Sequence, residues 1–315
     1  MTGRPALLAM DDLLRSLAGE RFFYVPNTGN AGDGLIACAT LQVFARLGLE
    51  WVLVRAPEDV PALPAGSSVV IGGGGHMTRY WNGFAKLLEA LHGRARRIVV
   101  LPHTIEGNER LLAQLGPTVD LVCREAVSYA HVAAHARGGC RVHLSHDMAF
   151  YLDLASLLAS RRPHALEAWR ALRGRHGARR AWLVYTTLRR LRAAARGSRM
   201  LNCFRADAES AGWPIPEDNI DLSEIFASYD ARYDAGDAER SARALVSVVN
   251  RFDIVNTDRM HVGIVGALLG KHVRLHVGAY YKIEAVYRLS LEGRFPRVVL
   301  VASSRPGAAS AARSA

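Results

Sequence analysis

Short apolar runs alternate with helical patterns through the first half of the chain. Apolar residues recur every three or four positions at Ile36, Ala39 and Val43, and residues 84–93 form a second helical segment that ends at a glycine. The predicted strands are 21–25, 51–54, 67–71, 97–101, 119–123 and 141–145. Because strands without polar alternation are buried on both faces, this pattern predicts a parallel sheet covered by helices.

A second series of the same kind follows in the second half. Its predicted strands are 181–188, 253–257 and 272–277, and its predicted helices are 240–252 and 262–270. We therefore expect an α/β protein with two Rossmann-like domains, an N-terminal one over 1–158 and a C-terminal one over 159–302. The small, polar, proline-containing tail 303–315 is expected to be disordered.

The charge of the chain indicates an anionic partner. The formal net charge is +11 and the pI is near 9.9, which favours phosphorylated metabolites, glycan pyrophosphates, acidic lipid surfaces or nucleic acid. Much of the excess lies at 161–180 and 188–199, which are either solvated faces or contacts to a polyanion or a membrane surface. Nucleic acid is not expected, because no recognised module and no basic run interleaved with stacking aromatics is present.

The N-terminal sequence, the length of the apolar stretches and the cysteine spacing indicate the cellular compartment and the state of the thiols. The first twenty residues carry two aspartates in their only apolar stretch and no signal-peptide cleavage site, and no stretch is long enough to span a bilayer, so we expect a cytoplasmic protein. Because of the basic runs at 161–180 and 188–199, peripheral contact with the inner face of the membrane remains an alternative.

The cysteines lack C-x-x-C spacing, which predicts reduced, buried thiols, and no metal-ligand cluster is visible. They are Cys38, Cys123, Cys140 and Cys203.

Polar residues and glycines collect after the predicted strands, where parallel sheets bind their ligands. Four consecutive glycines at 72–75 cost backbone entropy that a simple turn does not require, so bare amides that bind an anion are favoured there. Asp33 is either a helix cap or a ligand contact, and His103 is either a capped loop histidine or a catalyst. The other candidates at strand ends are Asn30, Gly73, Gly74, Gly75, Arg124, Asp258, Arg259 and His261.

The cluster at 258–261 has the most specific chemistry. Arg259 offers a planar fork of donors for a carboxylate or phosphate, and His261 can transfer a proton near neutral pH. The alternative is that Asp258 caps a helix beside an exposed basic pair. Neither glycine cluster has the G-x-G-x-x-G spacing of dinucleotide binders, and no G-K-[ST] follows, so neither an NAD enzyme nor a P-loop kinase is indicated.

Taken in order, the motifs resemble those of the polysaccharide pyruvyltransferase family, with exopolysaccharide members most similar. They are GNAGDGLIACATLQ (29–42), VVIGGGG (69–75), LPHTI (101–105), VCREAVSY (122–129), HDMAFYL (146–152), RADAES (205–210), TDRMHVGIVGALLGK (257–271) and YYKIEAVY (280–287). They span most of the chain in consistent order. The resemblance implies a fold similar to GT-B glycosyltransferases, with the active cleft between two Rossmann-like domains.

The resemblance also implies an activity and roles for residues. The family moves the pyruvyl group of phosphoenolpyruvate onto a sugar as a cyclic ketal, without a cofactor, in exopolysaccharide or cell-surface glycan biosynthesis. Arg259 and His261 match the family's R-x-H element and Arg124 matches the arginine of its R-E element. These arginines, with the amides of Gly73 to Gly75, are expected to hold the donor, and Asn30, Asp258 and Lys282 are further candidate substrate contacts.

Proton transfer is assigned first to His261, with His103 and Asp33 as second choices. His103 stands where many members have glutamine. The expected partners are phosphoenolpyruvate and a glycan acceptor, whose lipid linkage the sequence leaves open together with the oligomeric state. Two other functions remain possible at this point: a GT-B-type glycosyltransferase that uses a nucleotide sugar, and a non-catalytic glycan- or membrane-binding subunit of a polysaccharide synthesis complex.

Overall fold

The computed structural model of the chain describes residues 5–159, 199–227 and 233–302. Within them, the backbone divides into two compact units. The first takes 5–28, 36–152 and 233–235, and the second takes 29–35, 153–159, 199–227 and 236–302. The basic segment 161–180, the predicted strand 181–188, all but the last residue of 188–199 and the tail 303–315 lie outside the described residues.

The first unit is built on a seven-stranded sheet in which every strand pair is parallel. The strands are β1 (Arg21–Val25), β2 (Glu50–Leu53), β3 (Ser68–Ile71), β4 (Gly74–Met77), β5 (Arg97–Ile105), β6 (Val119–Cys123) and β7 (Arg141–Leu144). Their order is β2-β1-β3-β5-β6-β7, with β4 paired to the end of β5. The apolar runs of β1, β3, β5 and β6 are largely buried and the edge strands β2 and β7 are partly exposed; the sheet is parallel, as predicted.

Helices cover this sheet and complete its core. They are α1 (Met10–Arg15), α2 (Ala31–Arg46), α3 (Gly83–Leu91), α4 (Glu109–Gln114) and α5 (Ala126–His135), with 3-10 turns at Pro57–Ala62 and Met148–Tyr151. Phe44 of α2 makes T-shaped contacts with Phe22 and Tyr24 of β1, each at 5.2 Å between ring centroids. These T-shaped contacts fix α2 on the sheet.

The second unit holds a four-stranded parallel sheet in the order β11-β10-β9-β8. Its strands are β8 (Met200–Cys203), β9 (Ile254–Thr257), β10 (His272–His276) and β11 (Val298–Val301). Its helices are α6 (Leu154–Ala159), α7 (Leu222–Ile225), α8 (Ala235–Val249), α9 (Met260–Leu268) and α10 (Lys282–Val286), followed by a π-helical turn at Tyr287–Leu291. The α/β class with parallel sheets is confirmed.

Two sequence-based boundaries near the predicted site are wrong. β5 was predicted to end at residue 101, before Pro102, but it continues to Ile105 because the proline falls where the ladder to β6 shifts register, between Val100 and His103. His103 therefore lies within a strand and not in a loop. Gly74 and Gly75 were predicted to lie beyond the strand 67–71 and outside any other strand, but they begin β4, which pairs with β5 at His103.

The helical spacing was predicted to start at Ile36, but α2 already begins at Ala31. The four cysteines are free and buried, as predicted. The strand order of the first sheet reverses between β1 and β3, and doubly wound sheets bind their ligands outside the strand ends at this point. Here the Gly72 amide donates to the Val25 carbonyl at 2.8 Å, which brings the glycine run against the end of β1.

Candidate active site

Steric constraints explain three of the four glycines of the run, beginning with Gly72, where a Cβ would lie 2.7 Å from the Asn27 amide nitrogen. A Cβ at Gly73 would lie 2.8 Å from the Pro102 carbonyl oxygen, and Gly74 has a φ of 140°, which side chains rarely adopt. A Cβ at Gly75 would fill the space 3.4 Å from Nη2 of Arg124. Gly72 to Gly74 are thus explained by packing and backbone conformation without a ligand, whereas Gly75 is not, and anion binding by the amides of Gly73 to Gly75 stays a prediction.

Arg124 is a buried guanidinium with one nitrogen left over. Its side chain is 1% exposed, its Nε donates to Thr104 Oγ1 at 2.8 Å, and its Nη1 donates to Asp147 Oδ2 at 2.8 Å. Asp147 is itself fixed, because it accepts from the Ala149 amide at 2.8 Å. Nη2 donates to no acceptor among the described residues and lies beside Gly75. The arrangement holds a cation rigidly and leaves one donor for an anion.

His103 lies next to Arg124 in the sheet and is neutral. It is fully buried, and its Nδ1 lies 3.2 Å from the Leu101 carbonyl oxygen, which assigns the proton to Nδ1 and leaves a lone pair on Nε2. Burial, and secondarily the charge of Arg124, lowers the pKa of His103 to about 3. Nε2 has no hydrogen-bond partner among the described residues. This atom is suited to accept a hydrogen bond, and the imidazole is not charged near neutral pH.

Asn30 and Asp33 form a reciprocal cap at the start of α2. Asn30 Oδ1 accepts from the Gly32 amide at 2.7 Å, and Asp33 Oδ2 accepts from the Asn30 amide at 3.1 Å. This capping box satisfies two amides that a helix start leaves open, and it explains why α2 begins earlier than the apolar spacing predicted. Of the two alternatives for Asp33, the structure shows the cap.

His261, in the first turn of α9, packs against that same cap. A Cβ at Gly32 would lie 2.2 Å from His261 Nδ1, so any side chain at this position would displace the imidazole. Gly29 is restricted in the same way, since its Cβ would lie 2.6 Å from Asp33 Oδ2. All of these residues belong to the second unit. The GNAGDG motif therefore places a capped helix start against the histidine predicted to transfer protons.

Arg259 is held by carboxylates. Its Nε and Nη2 donate to the two oxygens of Asp221 at 3.0 and 2.5 Å, and its Nη1 lies 2.9 Å from Asp207 Oδ2. The guanidinium is 5% exposed. Burial acts to lower the pKa of Arg259, but Asp221 and Asp207 raise it above its ordinary value. The forked donor that sequence reasoning assigned to a substrate is thus occupied by protein acceptors.

Lys282 is paired in the same network. Arg205 donates to both oxygens of Asp207, at 2.7 and 2.9 Å, and also to Glu209. Glu209 in turn accepts from Lys282, whose ammonium lies 5.1 Å from the centre of the Tyr280 ring. Sequence reasoning missed the carboxylates as site residues. Asp207 and Glu209 stand in the RADAES motif, which could have revealed them, whereas no motif marks Asp221.

Asp258 is fully buried at the carboxyl end of β9. Its Oδ1 accepts from the Arg205 amide at 2.8 Å, and its Oδ2 has no partner among the described residues. Burial raises the pKa of Asp258 to about 6, against the opposing effects of Arg205 and Arg259. The residue at the cap position of α9 is Arg259. The alternative of a capping aspartate beside an exposed basic pair is therefore wrong, because Arg259 is buried and Asp258 bonds to another loop.

The model of the family described as polysaccharide pyruvyl transferase matches residues 30–275. The chain belongs to this family. The matched span includes every predicted site residue except Lys282. A solved structure of a functionally uncharacterized protein from Klebsiella pneumoniae is 28% identical, covering 93% of this chain and 97% of its own, with a TM-score of 0.69. No curated protein matches this chain.

Family membership confirms the resemblance and supports a transferase that moves pyruvyl groups to a glycan acceptor. Within residues 5–159, 199–227 and 233–302, no helix is long and apolar enough to cross a bilayer. The same residues contain no group of three or more histidine, cysteine, aspartate or glutamate side chains placed to hold a metal ion.

Proposed function

We propose that this protein transfers the pyruvyl group of phosphoenolpyruvate to two hydroxyls of one sugar in a cell-surface or exopolysaccharide glycan, forming a cyclic ketal. The observation that carries the proposal is the buried Arg124, whose Nη2 lies beside Gly75 with no protein acceptor in the part of the chain described. A preorganised, desolvated guanidinium is suited to a small anion. The net charge of +11 favours the same class of substrate.

The donor chemistry sets what the residues must do. Protonation of the methylene carbon of phosphoenolpyruvate makes the adjacent carbon electrophilic, and a sugar hydroxyl attacks it and loses its proton. A second hydroxyl of the same sugar then displaces the phosphate and loses its own proton, which closes the ketal. One proton enters at carbon and two leave from the hydroxyls, and the departing phosphate takes up the remaining one, so the products are the ketal and hydrogen phosphate. We assign these transfers to His261.

We assign the donor's charge first to Arg124. The family resemblance implies that Arg259 contacts the donor. Such a contact would compete with Asp221 and Asp207, which already accept from its guanidinium group. Truncating one member of such a buried network leaves the others unpaired. Arg259 is therefore proposed to hold the loop around Asp258 and His261 in place, and any donor contact it makes is additional to that role.

Gly75→Ala tests the donor site with little change elsewhere. The new methyl group would stand 3.4 Å from Nη2 of Arg124, where the donor is placed, and Gly75 has no positive φ to strain. Loss of one charged hydrogen bond weakens phosphoenolpyruvate binding roughly ten- to hundredfold. Calorimetric titration of wild type and variant measures it. Gly93→Ala is the matched control, because a Cβ at Gly93 meets nothing within 4 Å.

Equal affinities of the wild type and Gly75→Ala for phosphoenolpyruvate would refute this donor site. Stabilisation of the wild type by UDP-glucose and not by phosphoenolpyruvate in a thermal-shift assay would favour the nucleotide-sugar glycosyltransferase. For turnover, the expected result is phosphate release from phosphoenolpyruvate only when a glycan acceptor is present, with a ketal found on the acceptor by mass spectrometry. Donor binding without release for any acceptor in a broad glycan panel would favour the non-catalytic subunit.

A further inference from the structure

An exposed aromatic ring stands on the loop that follows β4. Trp81 is 51% exposed, although tryptophan is a large apolar side chain that folded proteins normally cover. Its backbone is held, because the Thr78 amide donates to the Trp81 carbonyl at 2.8 Å. The following residue is held as well, since Asn82 Nδ2 donates to Asn108 Oδ1 at 2.9 Å. The ring is therefore presented by a fixed loop.

A run of packed rings connects Trp81 with the strand that carries His103. Trp81 stacks on His76 at 6.1 Å with an interplanar angle of 20°, and His76 meets the edge of Phe84 at 5.7 Å. Phe84 in turn lies 5.5 Å from His103, whose carbonyl accepts from the Arg124 amide at 3.0 Å. The exposed ring is thus attached, within one unit, to the strand ends that hold the proposed donor site.

The side chains around Trp81 carry polar, planar groups, namely a guanidinium group and side-chain amides. Arg79 is 60% exposed and lies 3.5 Å from Glu106; Asn82, exposed on the same loop, is bonded to the half-buried Asn108 on the loop after β5. A pyranose ring presents polarised C–H groups on one face and hydroxyls around its edge. Such C–H groups favour the electron-rich face of tryptophan, and the hydroxyls match amide and guanidinium groups. A lipid surface would favour a contiguous apolar patch, which these neighbours interrupt.

We infer that Trp81 is a stacking platform for a pyranose ring of the acceptor glycan, with Arg79, Asn82 and Asn108 bonding the hydroxyls at its edge. The inference rests on the proposed function, because it gives the acceptor of that reaction a binding surface near the donor. It names a residue that determines acceptor affinity and has no part in holding phosphoenolpyruvate.

The test compares sugar binding by four full-length proteins: wild type, Trp81→Phe, Trp81→Leu and Val127→Ala. The probes are methyl β-D-glucopyranoside and methyl β-D-galactopyranoside, and titrations followed by saturation-transfer NMR give their dissociation constants. Leucine keeps an apolar surface but removes the π face, so we expect about three- to tenfold weaker binding, whereas phenylalanine changes it by about twofold or less. Val127, 46% exposed elsewhere in the same unit, is the control and should change nothing.

The inference is overturned if Trp81→Leu binds both sugars as tightly as wild type, or if neither sugar receives saturation from the wild type. Phosphoenolpyruvate affinity, measured by calorimetry on the same proteins, should be the same in all four. Sugar binding that depends on Trp81 in a protein that does not bind phosphoenolpyruvate would defeat the proposed function and leave the platform standing. Intact donor binding with sugar binding independent of Trp81 would defeat the platform alone.

Discussion

Two arginines that look equivalent in the sequence have different hydrogen-bond partners in the folded chain. Arg124 leaves Nη2 without a protein acceptor, whereas all three guanidinium nitrogens of Arg259 lie against carboxylates. Asp147 is 23 residues from Arg124 along the chain, and Asp221 is 38 residues from Arg259. Residue identity predicted the right type of side chain at strand ends. Which arginine keeps an unpaired guanidinium nitrogen depends on such distant partners and cannot be predicted from the neighbouring residues in the sequence.

Burial determines the protonation state of His103, and a prediction follows from it. A pKa of about 3 keeps the imidazole neutral at working pH, so a hydrogen-bonding role is expected to survive replacement by an amide. His103→Gln should therefore keep turnover within about tenfold and leave the pH profile unchanged, while His103→Leu, which has no acceptor, should lose more than the glutamine variant. Steady-state rates across pH for both variants measure this. Equal, large losses in both would instead indicate proton transfer by His103.

Among elements, the apolar strands were the best predicted. β1 and β6 have the predicted bounds, because continuous burial leaves a clear pattern. β4 was missed since its glycines have no side chains to bury, and β5 was cut short at its proline. β8 and β11 were also missed. The errors at β4 and β5 fall at the glycine run and its partner strand, where backbone approach and not side-chain pattern determines the structure.

The same glycine-to-alanine substitution at two sites tests whether the glycine run is needed because another backbone segment packs closely against it. In Gly73→Ala the new Cβ would lie 2.8 Å from a backbone oxygen that cannot rotate away, so the first unit should lose on the order of 1–3 kcal/mol. Gly93→Ala meets open space and should be neutral or stabilise by up to about 1 kcal/mol. Urea unfolding of both variants gives the comparison. Similar stabilities of the two would show that the glycines serve something other than packing.

At the scale of the whole molecule, the sequence predicted the α/β class and the family. It could not predict that residues 29–35 belong to the second unit, since the contact that ties Gly32 to His261 there joins positions far apart in the chain. The roles of the GNAGDG glycines were hidden for the same reason. Gly32 is required by His261, which lies more than two hundred residues later in the chain.

The buried carboxyl groups of the second unit make its stability depend on pH in two opposite ways. Burial acts to raise the pKa values of Asp207 and Glu209, but their pairing with Arg205, Arg259 and Lys282 lowers them, so their stabilisation is present above the unfolded pKa values and is lost on acidification. The pKa of Asp258 is shifted in the opposite direction, and so is its effect on stability. Its pKa of about 6 in the folded chain exceeds the unfolded value, so the folded state binds the extra proton and stability falls as pH rises through about 4 to 6.

Asp258→Asn should remove that loss, because an amide resembles the protonated carboxyl and its oxygen can still accept from the Arg205 amide. We expect the variant to exceed wild type in unfolding free energy by at most about 3 kcal/mol at pH 8, with the difference shrinking toward pH 4. Urea unfolding at both pH values measures it, and Asp59→Asn, at an exposed position, is the control. Parallel pH profiles for wild type and Asp258→Asn would mean that the buried carboxyl ionises without cost. In that case a charge near Asp258, most directly Arg205 or Arg259, must compensate it fully.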